Sequence, residues 1–195
     1  MTAVADLWKD AWERHRIRLC QAGGALLILI AKPRSNPLFL LGLCVALSGE
    51  AVRAWAAGHI RKGAALAREG PYAMTRHPLY LGSLIMSCGL CIMCTSLRHW
   101  ASTGLVWGAV LATFYWLYPQ KMASEEKGLT AVFGGAFRGY RDAVPGFWPD
   151  PRLWGEALRS SHWDLRQAMR NKEHKTLLAL LGLAVLLRFK MVYRL

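Results

Sequence analysis

Gly70-Pro71-Tyr72-Ala73-Met74-Thr75-Arg76-His77-Pro78-Leu79-Tyr80-Leu81-Gly82 joins a basic loop to a long uncharged apolar run. Proline lacks a backbone N–H, so Pro78 suits the first turn of a helix and holds His77 in extended backbone just outside it. The stretch reads as a helix N-terminus at a membrane surface, where unpaired N–H groups, Arg76 and His77 all present positive character. Such a place takes an anion such as a carboxylate or phosphate. The same residues also read as a plain turn whose basic side chains anchor a membrane helix.

Outward from this stretch, residues 79–97 carry no charge, and neither do residues 99–120. Each approaches the ~20 residues needed to cross the hydrocarbon core as a helix. The whole chain has 195 residues, 54% of them hydrophobic, enough for one domain. Its net charge is +13, with the basic residues gathered between the apolar runs. Anionic lipid headgroups account for that placement more simply than nucleic acid does. Several Trp, including Trp55, Trp100 and Trp116, sit near segment ends, where amphipathic rings settle at the water boundary.

Before the opening stretch, residues 1–18 have helical apolar spacing among basic residues and read as an interfacial amphipathic helix. Residues 19–31 are apolar but short for a crossing. After a turn at residues 32–37, residues 38–57 return through the membrane carrying Glu50 and Arg53. Ionisable groups inside a span usually face the interior and pair, and the two residues also read as a solvated pair near the interface. After it, Pro119 should bend or end the run that begins at Trp100. Residues 149–175 carry an apolar stripe of Trp154, Ala157, Leu158, Leu165, Ala168 and Met169, and read as a second interfacial helix. Residues 176–187 are a short apolar run that either crosses or dips into the bilayer. Cys88, Cys91 and Cys94 drift around a helix axis rather than converge, so they read as small buried hydrophobes rather than cluster ligands.

The expected fold is therefore all-α: a multi-pass helical membrane protein with four to five transmembrane helices plus interfacial amphipathic helices, forming a single domain over residues 1–195. If the first four segments all cross, the connections richest in Lys and Arg share one side, which the positive-inside rule makes cytoplasmic. His77 and Glu125 then fall on that same side, which predicts one composite site. No strand leads into a Gly-x-Gly-x-x-Gly loop, so a soluble dinucleotide fold is not indicated.

Arg76-His77-Pro78-Leu79-Tyr80-Leu81-Gly82, with Glu125-Glu126 after the next apolar run, resembles the isoprenylcysteine carboxyl methyltransferase family and the related phospholipid N-methyltransferases. Gly70-Pro71-Tyr72, Phe133-Gly134, Tyr140-Arg141 and Val144-Pro145 extend the likeness, which covers roughly residues 50–150. That family consists of integral-membrane enzymes that use S-adenosylmethionine. The resemblance implies that Arg76, His77 and the helix N-terminus at Pro78 hold the cofactor's carboxylate. It implies that Glu125 and Glu126 hold its ammonium and ribose hydroxyls. Tyr72 and Tyr80 pack on or hydrogen-bond to the cofactor, Gly82 permits close approach, and Phe133 and Tyr140 close the site. Arg76 and Glu125 are the implied catalytic pair.

Glu50 and Arg53 would line the path of a lipid or lipidated acceptor, and no metal is expected. The expected reaction is methyl transfer to an amphiphilic acceptor at the cytoplasmic interface, either a prenylcysteine-type carboxylate or a lipid amine. Two alternatives stand beside it. Membrane sterol reductases resemble part of this architecture and use NADPH. A non-enzymatic lipid-binding membrane protein would also fit the apolar runs.

Overall fold

The computed structural model describes residues 29–61, 65–159 and 162–194. The amphipathic helix expected over residues 1–18, and nearly all of the apolar run over residues 19–31, lie outside the described residues. Every regular element among the described residues is helical. α1 is Asn36–Ala57, α2 Pro78–Cys94, α3 Trp100–Ala112, α4 Tyr118–Phe133, α5 Gly135–Ala143, α6 Trp154–Arg159, α7 Leu165–Arg170 and α8 Glu173–Tyr193.

α1 and α2 form the framework. Ser35 caps α1 by accepting from the Leu38 N–H at 3.4 Å, and Pro37 occupies its first turn. The two helices touch backbone to backbone at Gly42, Gly49, Gly82 and Gly89. A Cβ built on Gly89 would lie 2.3 Å from the Ala46 nitrogen, and one on Gly49 2.4 Å from the Met86 nitrogen. Between membrane helices apolar side chains gain little by leaving lipid, so close backbone approach through small residues takes over. Gly89→Ala is expected to destabilise the protein by about 1–3 kcal/mol, read as a lowered melting temperature in detergent. An unchanged melting temperature would contradict this packing.

α8 closes the framework at its far end. Leu187, Ala184 and Met191 pack with Phe39, Cys91, Met93 and Cys94 in the main apolar cluster. Cys91 and Cys94 thus serve as small core residues. The segment expected as a short run over residues 176–187 is instead a 21-residue helix, long and apolar enough to cross a membrane, as is α1.

Of the four to five crossings expected, the first, over residues 19–31, lies almost wholly outside the described residues. By length and composition the described residues give two spans, or three if a bent pair counts as one. α2 has 17 residues, about 25 Å at 1.5 Å per residue, against a core of about 30 Å. The chain then turns by 90° into α3, so residues 78–97 and 99–120 are two limbs of one bent pair. Nor does Pro119 end the second limb. A π-helical turn at Thr113–Leu117 immediately precedes it, and the chain runs on into α4. A π turn shifts the hydrogen-bond ladder where proline cannot donate.

The helix expected over residues 149–175 is two short ones, α6 and α7. Its stripe is split: Ala157 and Ala168 are buried, while Trp154, Leu158, Leu165 and Met169 point outward among arginines.

Candidate functional site

The opening stretch is pinned by the segment that follows α5. Arg76 N–H donates to the Pro145 carbonyl at 2.9 Å, and the Thr75 hydroxyl lies 3.1 and 3.0 Å from the Gly146 and Phe147 carbonyls. Asp150 N–H donates to the Met74 carbonyl at 3.0 Å. Gly70 begins the 3-10 turn with φ +59° and packs so closely on the His59 ring that a Cβ would lie 2.5 Å from it. The turn is therefore fixed by both backbone conformation and space. His77 is the residue before α2, with Pro78 inside the first turn, as the sequence predicts, but its backbone (φ −125°, ψ 55°) is not the extended one expected.

The acidic half comes from α4. Arg76 Nη1 donates to Glu126 Oε1 at 2.6 Å, and His77 Nε2 lies 3.0 Å from the same oxygen. The Tyr80 hydroxyl donates to Glu125 Oε1 at 2.6 Å, and His77 Nδ1 is 3.9 Å from Glu125 Oε2. The two halves of the motif are thus in hydrogen-bond contact. They differ in commitment: Glu126 is shared by Arg76 and His77, whereas the Glu125 side chain is 56% exposed.

Gly134 (φ +52°, ψ −120°) lets the chain fold back after α4, a backbone region open to glycine. α5 then brings Phe137 and Tyr140 inward. The Tyr140 hydroxyl donates to the Tyr72 carbonyl at 2.8 Å. Burial pushes the phenol pKa values of Tyr72 and Tyr140 well above the ordinary tyrosine value. Both are therefore neutral hydrogen-bonding groups across the physiological range.

These residues enclose a cavity of about 710 Å³, within the ~300–1,000 Å³ usual for small-molecule and cofactor sites. Arg76, His77, Tyr80, Glu125 and Glu126 stand on its wall, with Tyr72, Tyr118, Leu129, Phe133, Phe137 and Tyr140. Tyr80 meets Tyr118 edge-on at 5.1 Å, and Phe114 stacks on Tyr118 at 4.0 Å. Arg53, Leu79 and Ser83 also line it.

Two residues expected at the site sit elsewhere. Gly82 gives its close approach to α1, where a Cβ would meet the Gly49 carbonyl at 2.7 Å, and it does not line the cavity. Pro78 shapes the helix start but is buried away from the cavity. Of the pair expected on the acceptor path, Arg53 reaches the cavity while Glu50 is buried behind it, 3.6 Å from Arg53 Nε.

Sequence reasoning missed Glu173. Its two carboxylate oxygens accept from Arg53 Nη2 at 3.0 and 3.1 Å, while Arg53 Nη1 donates to the Ser83 hydroxyl at 2.5 Å. The available signal was a lone acid among basic residues, directly before an apolar helix. Among the described residues, no group of three or more His, Cys, Asp or Glu is placed to hold a metal ion.

The chain is 34% identical over 128 residues to the cobalt-zinc-cadmium resistance protein CzcN of Cupriavidus metallidurans, covering 64% of this chain and 54% of that one. It is 34% identical over 113 residues to the nickel-cobalt-cadmium resistance protein NccN of Alcaligenes xylosoxydans xylosoxydans, covering 56% and 47% respectively. The chain therefore spans about half the length of the curated relatives it matches. No solved structure gives a significant match. The model of a protein family of unknown function, DUF1295, matches residues 35–144, which run from the cap of α1 through the composite site to the end of α5, and the chain belongs to that family.

Proposed function

We propose that this chain is a membrane methyltransferase that binds S-adenosylmethionine in the cavity between α2 and α4 and methylates an amphiphilic acceptor. The observation that carries the reading is the meeting of Arg76 and His77 with Glu125 and Glu126 on the wall of one largely apolar cavity. That donor set suits a zwitterion. Arg76, held by Glu126 through Nη1, keeps N–H groups on its other terminal nitrogen for a carboxylate. Glu125, half exposed beside Tyr80, supplies acceptors for an ammonium or for ribose hydroxyls. Tyr80 and Tyr118 offer ring faces to a sulfonium, and Leu129, Phe133 and Phe137 offer an apolar surface to adenine. When bound, the cofactor supplies an electrophilic methyl group on sulfur. The chain's contribution is alignment and exclusion of water, which such displacement chemistry depends on.

The charge on the cavity wall favours this cofactor over NADPH. Arg53 is committed to Glu173 and Arg76 to Glu126, which leaves Arg61 against Glu125. A nearly balanced wall suits a zwitterion better than a dinucleotide with several phosphates. Among the described residues more Lys and Arg lie toward this end of α1 than toward the other, which supports a cytoplasmic site.

Titration of S-adenosylmethionine and NADPH into the detergent-purified protein tests the reading. Saturable binding of the former, lost in His77→Ala, is the expected result. Binding of NADPH alone, or binding of S-adenosylmethionine that is equal in His77→Ala, would replace the reading with a reductase or a lipid-binding protein. The relatives' names add a physiological expectation: tolerance of cobalt, zinc or cadmium in cells expressing the chain should fall with the same variant.

A further inference from the structure

The opposite end of the framework holds a second cavity, of about 730 Å³, with different chemistry. Arg34, Arg98, Arg188 and Arg194 line it together with Asn36 and His99. No lining residue is acidic. Among the described residues, none of the four guanidinium groups has a carboxylate within ion-pair distance.

The four arginines come from three separate parts of the chain: the entry to α1, the α2–α3 connection and the end of α8. Two of them are held in place. Arg188 Nη1 donates to Asn36 Oδ1 at 2.5 Å, with its guanidinium 5.9 Å from the Phe39 ring centre. Arg34 Nη2 donates to the Arg194 carbonyl at 3.2 Å. Each of these two bonds uses one guanidinium nitrogen and leaves other N–H groups for an anion. Four like charges around one cup repel each other unless an anion sits among them.

Asn36 and Arg53 are 17 positions apart on α1, so the cup lies about 25 Å along the helix from Arg53 on the wall of the first cavity. It is a separate site. An exposed apolar flank adjoins it on α8: Val192 lines the cup, and Phe189 and Tyr193, exposed on the same helix, have ring centres 4.3 Å apart.

We infer that this cup binds a phosphate group, and that the phosphate belongs to an anionic phospholipid whose headgroup sits among Arg34, Arg98, Arg188 and Arg194 while its tails lie along the apolar flank of α8. Guanidinium groups match phosphate through paired N–H donors, and the location at the end of two candidate spanning helices puts the cup at headgroup depth. This inference does not rest on methyl transfer.

The test uses the full chain in nanodiscs of phosphatidylcholine with increasing phosphatidylglycerol, reading lipid retention by native mass spectrometry after extraction. Phosphatidylglycerol should be retained in preference to phosphatidylcholine. Arg98→Gln should weaken that preference about fivefold, on the scale of one basic residue at an anionic surface, and R34Q/R98Q/R188Q should weaken it more than tenfold. Arg98 makes no hydrogen bond among those described, so the single variant stays informative if the triple variant does not fold. Competition by millimolar inorganic phosphate would assign the cup to a free anion, while resistance to it assigns the lipid. Equal retention of the two lipids, or a preference unchanged in both variants, would overturn the inference. S-Adenosylmethionine binding in Arg98→Gln should match the wild type, which separates failure at this site from failure at the other.

Discussion

Arg53→Ala is expected to destabilise the protein by about 3–5 kcal/mol, the loss seen when one partner of a buried ion pair is removed. Arg53 is the only cation in contact with two buried carboxylates among the described residues, Glu50 at 3.6 Å and Glu173 at 3.0 Å. Its removal leaves both acids without a counter-charge and also deprives Ser83 of its donor. Glu173→Ala should cost less, because Glu50 remains beside the guanidinium. The ordering matters as much as the size: thermal melts in detergent should rank wild type, then Glu173→Ala, then Arg53→Ala. The double variant should fall short of the sum, since the two residues share one interaction. Equal melting of Arg53→Ala and wild type would remove the network from any account of stability.

The second large effect belongs to Glu126. Its Oε1 receives both Arg76 and His77, so Glu126→Ala releases two hydrogen-bonding partners at once. A hydrogen bond to a charged group contributes about 1.5–3 kcal/mol, and 2 kcal/mol corresponds to about 30-fold in affinity. Glu126→Ala should therefore weaken S-adenosylmethionine binding about 30-fold or more and also lower the melting temperature. Glu125→Ala should behave differently. Its side chain is half exposed and partnered by the Tyr80 hydroxyl, so cofactor affinity should drop while thermal stability holds. Loss of stability in both variants, with equal cofactor binding, would make the acidic pair a structural clasp and end its proposed role as a ligand.

The contact between residues 76–77 and 125–126 was legible because it needs little geometry. Uncharged runs bring the chain away from an interface and back to it, and the basic and acidic groups mark the two returns. The break between the two apolar limbs of the bent pair was not legible. Hydropathy reports that residues 78–97 and 99–120 are apolar, but not that α2 is short or that a 90° bend joins the limbs. Glu173 was hidden for a different reason. Its partner lies 120 positions earlier, and neither local pattern nor helical spacing links such residues. The basic cup was hidden likewise, since its arginines are scattered singly and only packing of α8, the entry to α1 and the α2–α3 connection assembles them. Gly82 shows the converse: a glycine expected to admit a cofactor admits a neighbouring helix.

The bent limb has a consequence for how the site responds to its surroundings. α4 buries none of its residues and α3 buries Val106 alone, whereas α1 and α2 are locked together by four glycines. One jaw is thus a fixed post and the other a lever, joined across the cavity mainly by carboxylate contacts. A lever with its shaft in lipid feels lateral pressure. Thinner or more fluid bilayers should tilt it and change the width of the opening, so the lipid that surrounds the protein sets how readily the jaws part.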